Sequence, residues 1–74
     1  MESIIVECYA GSKADEYPLR FYIGRRKVEI ITIEKRWLTP EYRCFKILGD
    51  DDCNYVLEYN FDLDTWSLLT INKQ

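Results

Sequence analysis

The chain is expected to be all-β: a six-stranded antiparallel meander curled into a small barrel or half-barrel. Three observations lead there. Apolar and polar residues alternate with period two over most of the length, as in strands that bury one face. The alternating runs are short and separated by turn signals such as Gly24-Arg25 and Gly49-Asp50-Asp51-Asp52. Aromatics are abundant, with two Trp, six Tyr and three Phe in 74 residues, and each can bury roughly 150–250 Å². That matters because a chain this short buries only about 60–65% of its unfolded surface. Residues 1–74 make a single domain.

The first strand is read over residues 4–10. Ile4, Val6, Cys8 and Ala10 share one face, and Ile5, Glu7 and Tyr9 the other. The partly apolar second face suits a central or barrel strand better than a free edge. Residues 11–17, GSKADEY, break the alternation and form the longest polar connection.

A tight hairpin follows. Leu19, Phe21 and Ile23 alternate with Arg20 and Tyr22, and Val28 and Ile30 alternate with Lys27 and Glu29. A two-residue loop at Gly24-Arg25 pairs Ile23 with Arg26, Phe21 with Val28 and Leu19 with Ile30. Gly in the first loop position suits a type II′ turn, which needs a positive φ there.

The third strand runs on to Trp37 but changes phase. Val28 and Ile30 point one way, Ile31 and Ile33 the other. Either both faces are buried, or a bulge near Ile30-Ile31 bends the strand around one core. Lys27, Glu29, Glu34 and Lys35 favour the bulge, since burial on both faces would strand their charges.

Thr39-Pro40-Glu41 resembles a helix start, so at most one short helical turn is expected between Thr39 and Tyr42. The fourth strand is read over residues 42–48. A three-residue loop at Asp50-Asp51-Asp52 then pairs Gly49 with Cys53, Ile47 with Tyr55, Phe45 with Leu57 and Arg43 with Tyr59. Asp52 falls near the left-handed region in this register. Residues 54–60 and 66–71 are the last two strands. Phe21, Val28, Ile30, Ile33, Phe45, Ile47, Leu57, Trp66 and Leu68 form one expected core.

The composition argues against several activities. Without histidine there is no Ser-His or Cys-His pair. Three glycines form neither a phosphate-binding loop nor a dinucleotide fingerprint. Cys8, Cys44 and Cys53 lack C-x-x-C spacing and read as small hydrophobes rather than zinc ligands or a disulfide. Asn60, Asp62 and Asp64 begin like a calcium loop, but Thr65 replaces the required Gly and Ile71 the required Glu. The acids cluster in turns, where carboxylates are normally solvated. A non-catalytic chain without metal or cofactor is expected. No run approaches the ~20 apolar residues of a membrane span, and the N-terminus MESIIVECYAG lacks a basic leader. A cytoplasmic protein with no membrane contact is the expectation.

Charge is unevenly spread. Residues 17–46 carry eight Lys or Arg against three Glu, whereas residues 47–74 carry six acids against one Lys. Arg25, Arg26, Lys35, Arg36 and Arg43, interleaved with aromatics, are candidate phosphate contacts for single-stranded nucleic acid. The competing reading is that basic and acidic strands neutralise one another across the sheet, and the net charge of −3 supports it. Tyr22, Trp37 and Tyr42, near Arg side chains, are a candidate protein-contact surface. Asp15, Glu16 and Arg20 are a candidate cluster that fixes the loop or presents it for recognition.

One further pattern spans nearly the whole chain. It comprises Val6, Cys8-Tyr9, Gly11, Ala14-Asp15-Glu16, Pro18, Phe21, Arg36-Trp37, Tyr42, Phe45, Ile47, Tyr55, Leu57, Trp66 and Leu68. In these positions the chain resembles a small uncharacterised prokaryotic family of stand-alone all-β proteins of about this length. From Phe21 through Trp37 to Trp66 it is similar, more distantly, to a C-terminal module of bacterial proteins related to translesion DNA polymerases. Asp52-Cys53 stand where the family usually has Asp-Gly. The shared positions are mostly core aromatics and turn residues, which specify a fold rather than a chemistry. The resemblance implies a small β domain and lends support to a repair-complex or nucleic-acid role. The function expected is a protein-interaction module or small homo-oligomer, with single-stranded nucleic acid or a DNA-repair complex as the alternative partner.

Overall fold

Alternation becomes six strands: β1 (Glu2–Tyr9), β2 (Tyr17–Ile23), β3 (Arg26–Leu38), β4 (Tyr42–Gly49), β5 (Cys53–Asn60) and β6 (Thr65–Lys73). The structure is a computed structural model that describes residues 2–9 and 17–73. Every sequence neighbour pairs antiparallel, and β1 pairs with β6, so the meander closes into a six-stranded barrel. None of the described residues is helical. Thr39 still uses its capping hydroxyl, which accepts from the N–H of Tyr42 at 2.9 Å and of Glu41 at 3.3 Å. The alternation of residues 42–48 wins over the helix-start signal, because a strand there buries Phe45 and Ile47.

The hairpin register holds at Ile23–Arg26 and Phe21–Val28. Gly24 has φ +60° and Arg25 does not share the positive φ, as a type II′ turn requires. The ladder stops at Arg20–Glu29, however. Leu19 and Ile30 do not pair; they line a cavity that opens where the two strands diverge. The second long hairpin follows expectation at Arg43–Tyr59, Phe45–Leu57 and Ile47–Tyr55, and ends at Leu48–Asn54. Asp52 has φ 65°, and its N–H donates to the Gly49 carbonyl at 3.1 Å in place of a Gly49–Cys53 pair.

The expected bend in β3 is present twice. Its register against β4 shifts between Ile30 and Thr32 and again between Ile33 and Lys35. The two extra residues are Ile31 and Glu34. Each bulge bends the strand so that Ile30 and Ile33 both pack against the one core.

That core holds Phe21, Val28, Phe45, Ile47, Tyr55, Leu57 and Leu68, with Ile4, Val6, Ile30, Ile33 and Trp66 packed around it. Tyr55 joins it because its ring meets Phe21 edge-on at 4.9 Å while its hydroxyl reaches a turn. Gly49 is fixed by close approach: a Cβ there would lie 2.6 Å from Val28 Cγ1 and 3.0 Å from the Tyr55 ring. No helix among the described residues is long and apolar enough to cross a membrane.

Candidate interaction edge

Beyond Glu29, β3 pairs on one side only among the described residues. Residues 30–38 pair with β4, while β2 turns away to pair with β1. Among the described residues, no backbone covers the other side of residues 31–38. The cause is arithmetic: β2 has 7 residues and β3 has 13. Between the diverging strands lies a cavity of about 210 Å³. Its walls include Pro18, Leu19, Ile30, Ile31, Ile33 and Arg36. Ile31 is 62% exposed and Leu38 68% exposed, one near each end of this edge.

On the outer face, Trp37 stands opposite Cys44, which stands opposite Glu58. Cys44 is buried beneath these neighbours, and burial, aided by the Glu58 charge, pushes its thiol pKa up. It is therefore an inert side chain in this setting. The next row places Lys35 directly opposite Lys46. Lys35 Nζ lies over the Trp37 ring at 5.8 Å. Arg36 and Arg43 lie over Phe45 and Phe61, each at 5.8 Å. Among the described residues, Lys35, Arg36, Arg43 and Lys46 make no ion pair.

The other end of β3 differs. Arg26 pairs with Asp51, which also accepts from the buried Tyr55 hydroxyl. The Cys53 N–H donates to the same carboxylate at 3.2 Å. Burial alone would raise the Asp51 pKa, but the Tyr55, Cys53 and Arg26 contacts together hold it below the usual carboxylate range. Burial, reinforced by Asp51, pushes the Tyr55 phenol up. Arg25 is exposed in the adjoining turn.

These positions sort the candidate residues. Trp37 and Tyr42 are diagonal neighbours on the outer face, since Trp37 opposes Cys44 two residues from Tyr42. Tyr22 is not with them. It opposes Lys27, ten residues earlier on β3, and donates to Glu7 at 3.3 Å. Of the five candidate phosphate contacts, Lys35 is on the outer face of the open end while Arg36 and Arg43 are on its inner face, and Arg25 and Arg26 lie at the far end. Asp15 and Glu16 lie outside the described residues. Arg20 bridges Glu7 at 2.8 Å and Glu29 at 2.7 Å. The hydrogen bond from Arg20 holds the Glu29 pKa down.

As contact residues, Ile31, Glu34, Leu38 and Lys46 do not stand out in the sequence. The signal for them was length: a long strand beside a short one must leave backbone unpaired. No protein-family model, curated protein or solved structure matches the chain.

Proposed function

We propose that this chain is a non-catalytic, cytoplasmic protein-interaction module that takes an extended strand on the open edge of β3. One observation carries the reading. Residues 31–38 offer an eight-residue run of strand with one side unpaired among the described residues, beside an apolar cavity. Strand addition uses such edges: backbone groups supply affinity, and neighbouring pockets select side chains. A bare edge of this length with Ile31 and Leu38 exposed is a liability unless something pairs with it. Hydrogen exchange tests this. Amides in residues 31–38 that do not bond to β4 should exchange quickly in dilute protein and become protected when a partner binds. Protection appearing anywhere but on this edge would overturn the reading.

A second reading has its own support. Lys35 lies against Trp37 and Arg43 against the exposed Phe61, Lys46 stands opposite Lys35, and none of these three cations makes an ion pair among the described residues. Cations for phosphates and rings for bases are what a single-stranded nucleic acid requires. The resemblance to a module of polymerase-related proteins points the same way. Binding of single-stranded oligonucleotides that falls steeply as salt rises would support this reading, and no binding at low salt would remove it.

A further inference from the structure

The open edge is close to self-complementary. Read backwards against itself, the segment ITIEKRWL pairs Glu34 with Lys35, Ile33 with Arg36, Thr32 with Trp37 and Ile31 with Leu38. We propose that the strand added to this edge is β3 of a second copy, antiparallel, about a two-fold axis between Glu34 and Lys35. The inference rests on the docking reading above and names its partner.

The geometry of β3 supplies the condition for this axis. In an unbroken strand, successive residues face opposite sides of the sheet. A two-fold axis perpendicular to the sheet then passes through a residue pair i–i, never between i and i+1. The bulge at Glu34 changes that. Ile33 opposes the core residue Ile47, while Lys35 opposes Lys46 on the outer face. Glu34 accepts from Asn54 Nδ2 at 2.9 Å, and Asn54 precedes the inward Tyr55, so Glu34 is outward too. Glu34 and Lys35 thus share the outer face, and Thr32 and Trp37 match on it. Ile33 and Arg36 match on the inner face. Bulges and charges on an edge commonly deter pairing with strangers. Here the bulge at Glu34 permits a register that sets opposite charges side by side.

Charge gives a second argument. Lys35 and Lys46 are like charges directly opposite, a destabilising arrangement. Glu34 of the second copy would lie beside Lys35 and relieve it, twice per dimer by symmetry. Shape gives a third. Leu38 of the second copy would arrive beside Ile31, at the apolar cavity of about 210 Å³ between β2 and β3. The two exposed large apolar side chains of this edge would come together.

The test is sedimentation velocity across a concentration series, at low salt, with a charge swap. Wild type should associate to a dimer. K35E, which keeps the Asn54–Glu34 contact, should weaken the dimer about tenfold, since two attractive pairs become two repulsive ones. E34K should also weaken it, and E34K/K35E together should restore it. Melting temperatures of all four proteins, taken at dilution, separate lost pairing from lost folding. A monomeric wild type at the highest concentration would overturn the self-pairing. The docking reading would survive that result if a different protein still protected the amides of residues 31–38. A dimer indifferent to K35E, with those amides unprotected, would overturn both. Association seen only with added oligonucleotide would assign the face to nucleic acid and overturn the self-pairing.

Discussion

The two ends of β3 solve opposite problems. At its start, Arg26–Ile30 is clasped between β2 and the acidic turn after β4: Arg26 meets Asp51, and the Asp50 N–H donates to the Glu29 carbonyl at 2.9 Å. At its end, residues 31–38 have one neighbouring strand among the described residues, with two bulges and like-charged lysines face to face. Both ends are basic in sequence. At one end Arg26 and Lys27 have acidic partners, and at the other Lys35, Arg36, Arg43 and Lys46 make no ion pair among the described residues. Charge along a chain therefore says little until the topology assigns each charge a neighbour. Of the two readings of the basic segment, neutralisation by neighbouring acids holds at the clasped end, where Arg26 meets Asp51.

The comparison breaks first at the clasped end, where the core is. Phe21→Ala removes a fully buried ring that touches Tyr55 edge-on. A loss of about 3–5 kcal/mol is expected in urea unfolding. In a domain of this size that is a large part of the total, and a protein unfolded at 37 °C is the expected outcome. Gly49→Ala comes next. The new methyl meets Val28 Cγ1 at 2.6 Å and the Tyr55 ring at 3.0 Å, neither of which is a free-swinging tip. Overpacking of this kind should cost about 2–3 kcal/mol, read as a lower urea midpoint at unchanged slope.

Tyr55→Phe acts on the polar part of the same clasp. It deletes one donor to Asp51, while Arg26 and the Cys53 N–H remain. A loss of about 1–2 kcal/mol is expected. Acid should expose the same contact. The Asp51 pKa is held down in the fold, so its contribution is fully present above the unfolded value of about 3.9. It is lost as pH falls through the folded value. Glu29, also held down, adds in the same direction. Urea midpoints between pH 7 and pH 2 should drop below about pH 4. Asp51→Asn should be less stable at pH 7 and lose less on acidification.

Much of the clasped half was legible in the sequence. Period-two alternation and the small set of hairpin geometries fix pairs such as Phe21–Val28 and Phe45–Leu57. The bend in β3 was legible from the phase change at Ile30-Ile31, because charged neighbours forbid burying both faces. The burial of Tyr55 was half legible. Its register placed it on the core face, but its hydroxyl contact with Asp51 depends on how the following turn folds back. The open edge was not legible, for a different reason. Alternation reports which face a residue takes and is silent about which strand side is covered. Trp37 stood out by residue type, and Ile31 and Leu38 did not, since a Leu in a strand reads as core. Only the lengths of β2 and β3 distinguish a covered edge from an open one. Tyr22 drew attention for the same reason as Trp37, yet it lies at the clasped end among Glu7 and Lys27.

The smallest effect on stability is expected at the open end, and it is the one that sharpens the contrast most. Ile31 and Leu38 are large apolar residues left mainly in solvent. In an isolated barrel their side chains contribute little burial, and both sit in strand, so β-branched Thr preserves the backbone preference. Ile31→Thr and Leu38→Thr should each change the unfolding free energy by no more than about 0.5 kcal/mol, as for ordinary surface sites. Measured at low protein concentration, urea midpoints should match wild type. Measured at high concentration, the same variants should fall behind it, because only the paired edge buries those side chains and mass action transfers pairing into apparent stability. The clasped end supplies the control: the deficit of Gly49→Ala should persist undiminished in dilute protein, where no pairing contributes. A Leu38→Thr loss as large in dilute protein as in concentrated protein would mean that the open end is closed within one chain, and the contrast between the two ends of β3 would fail.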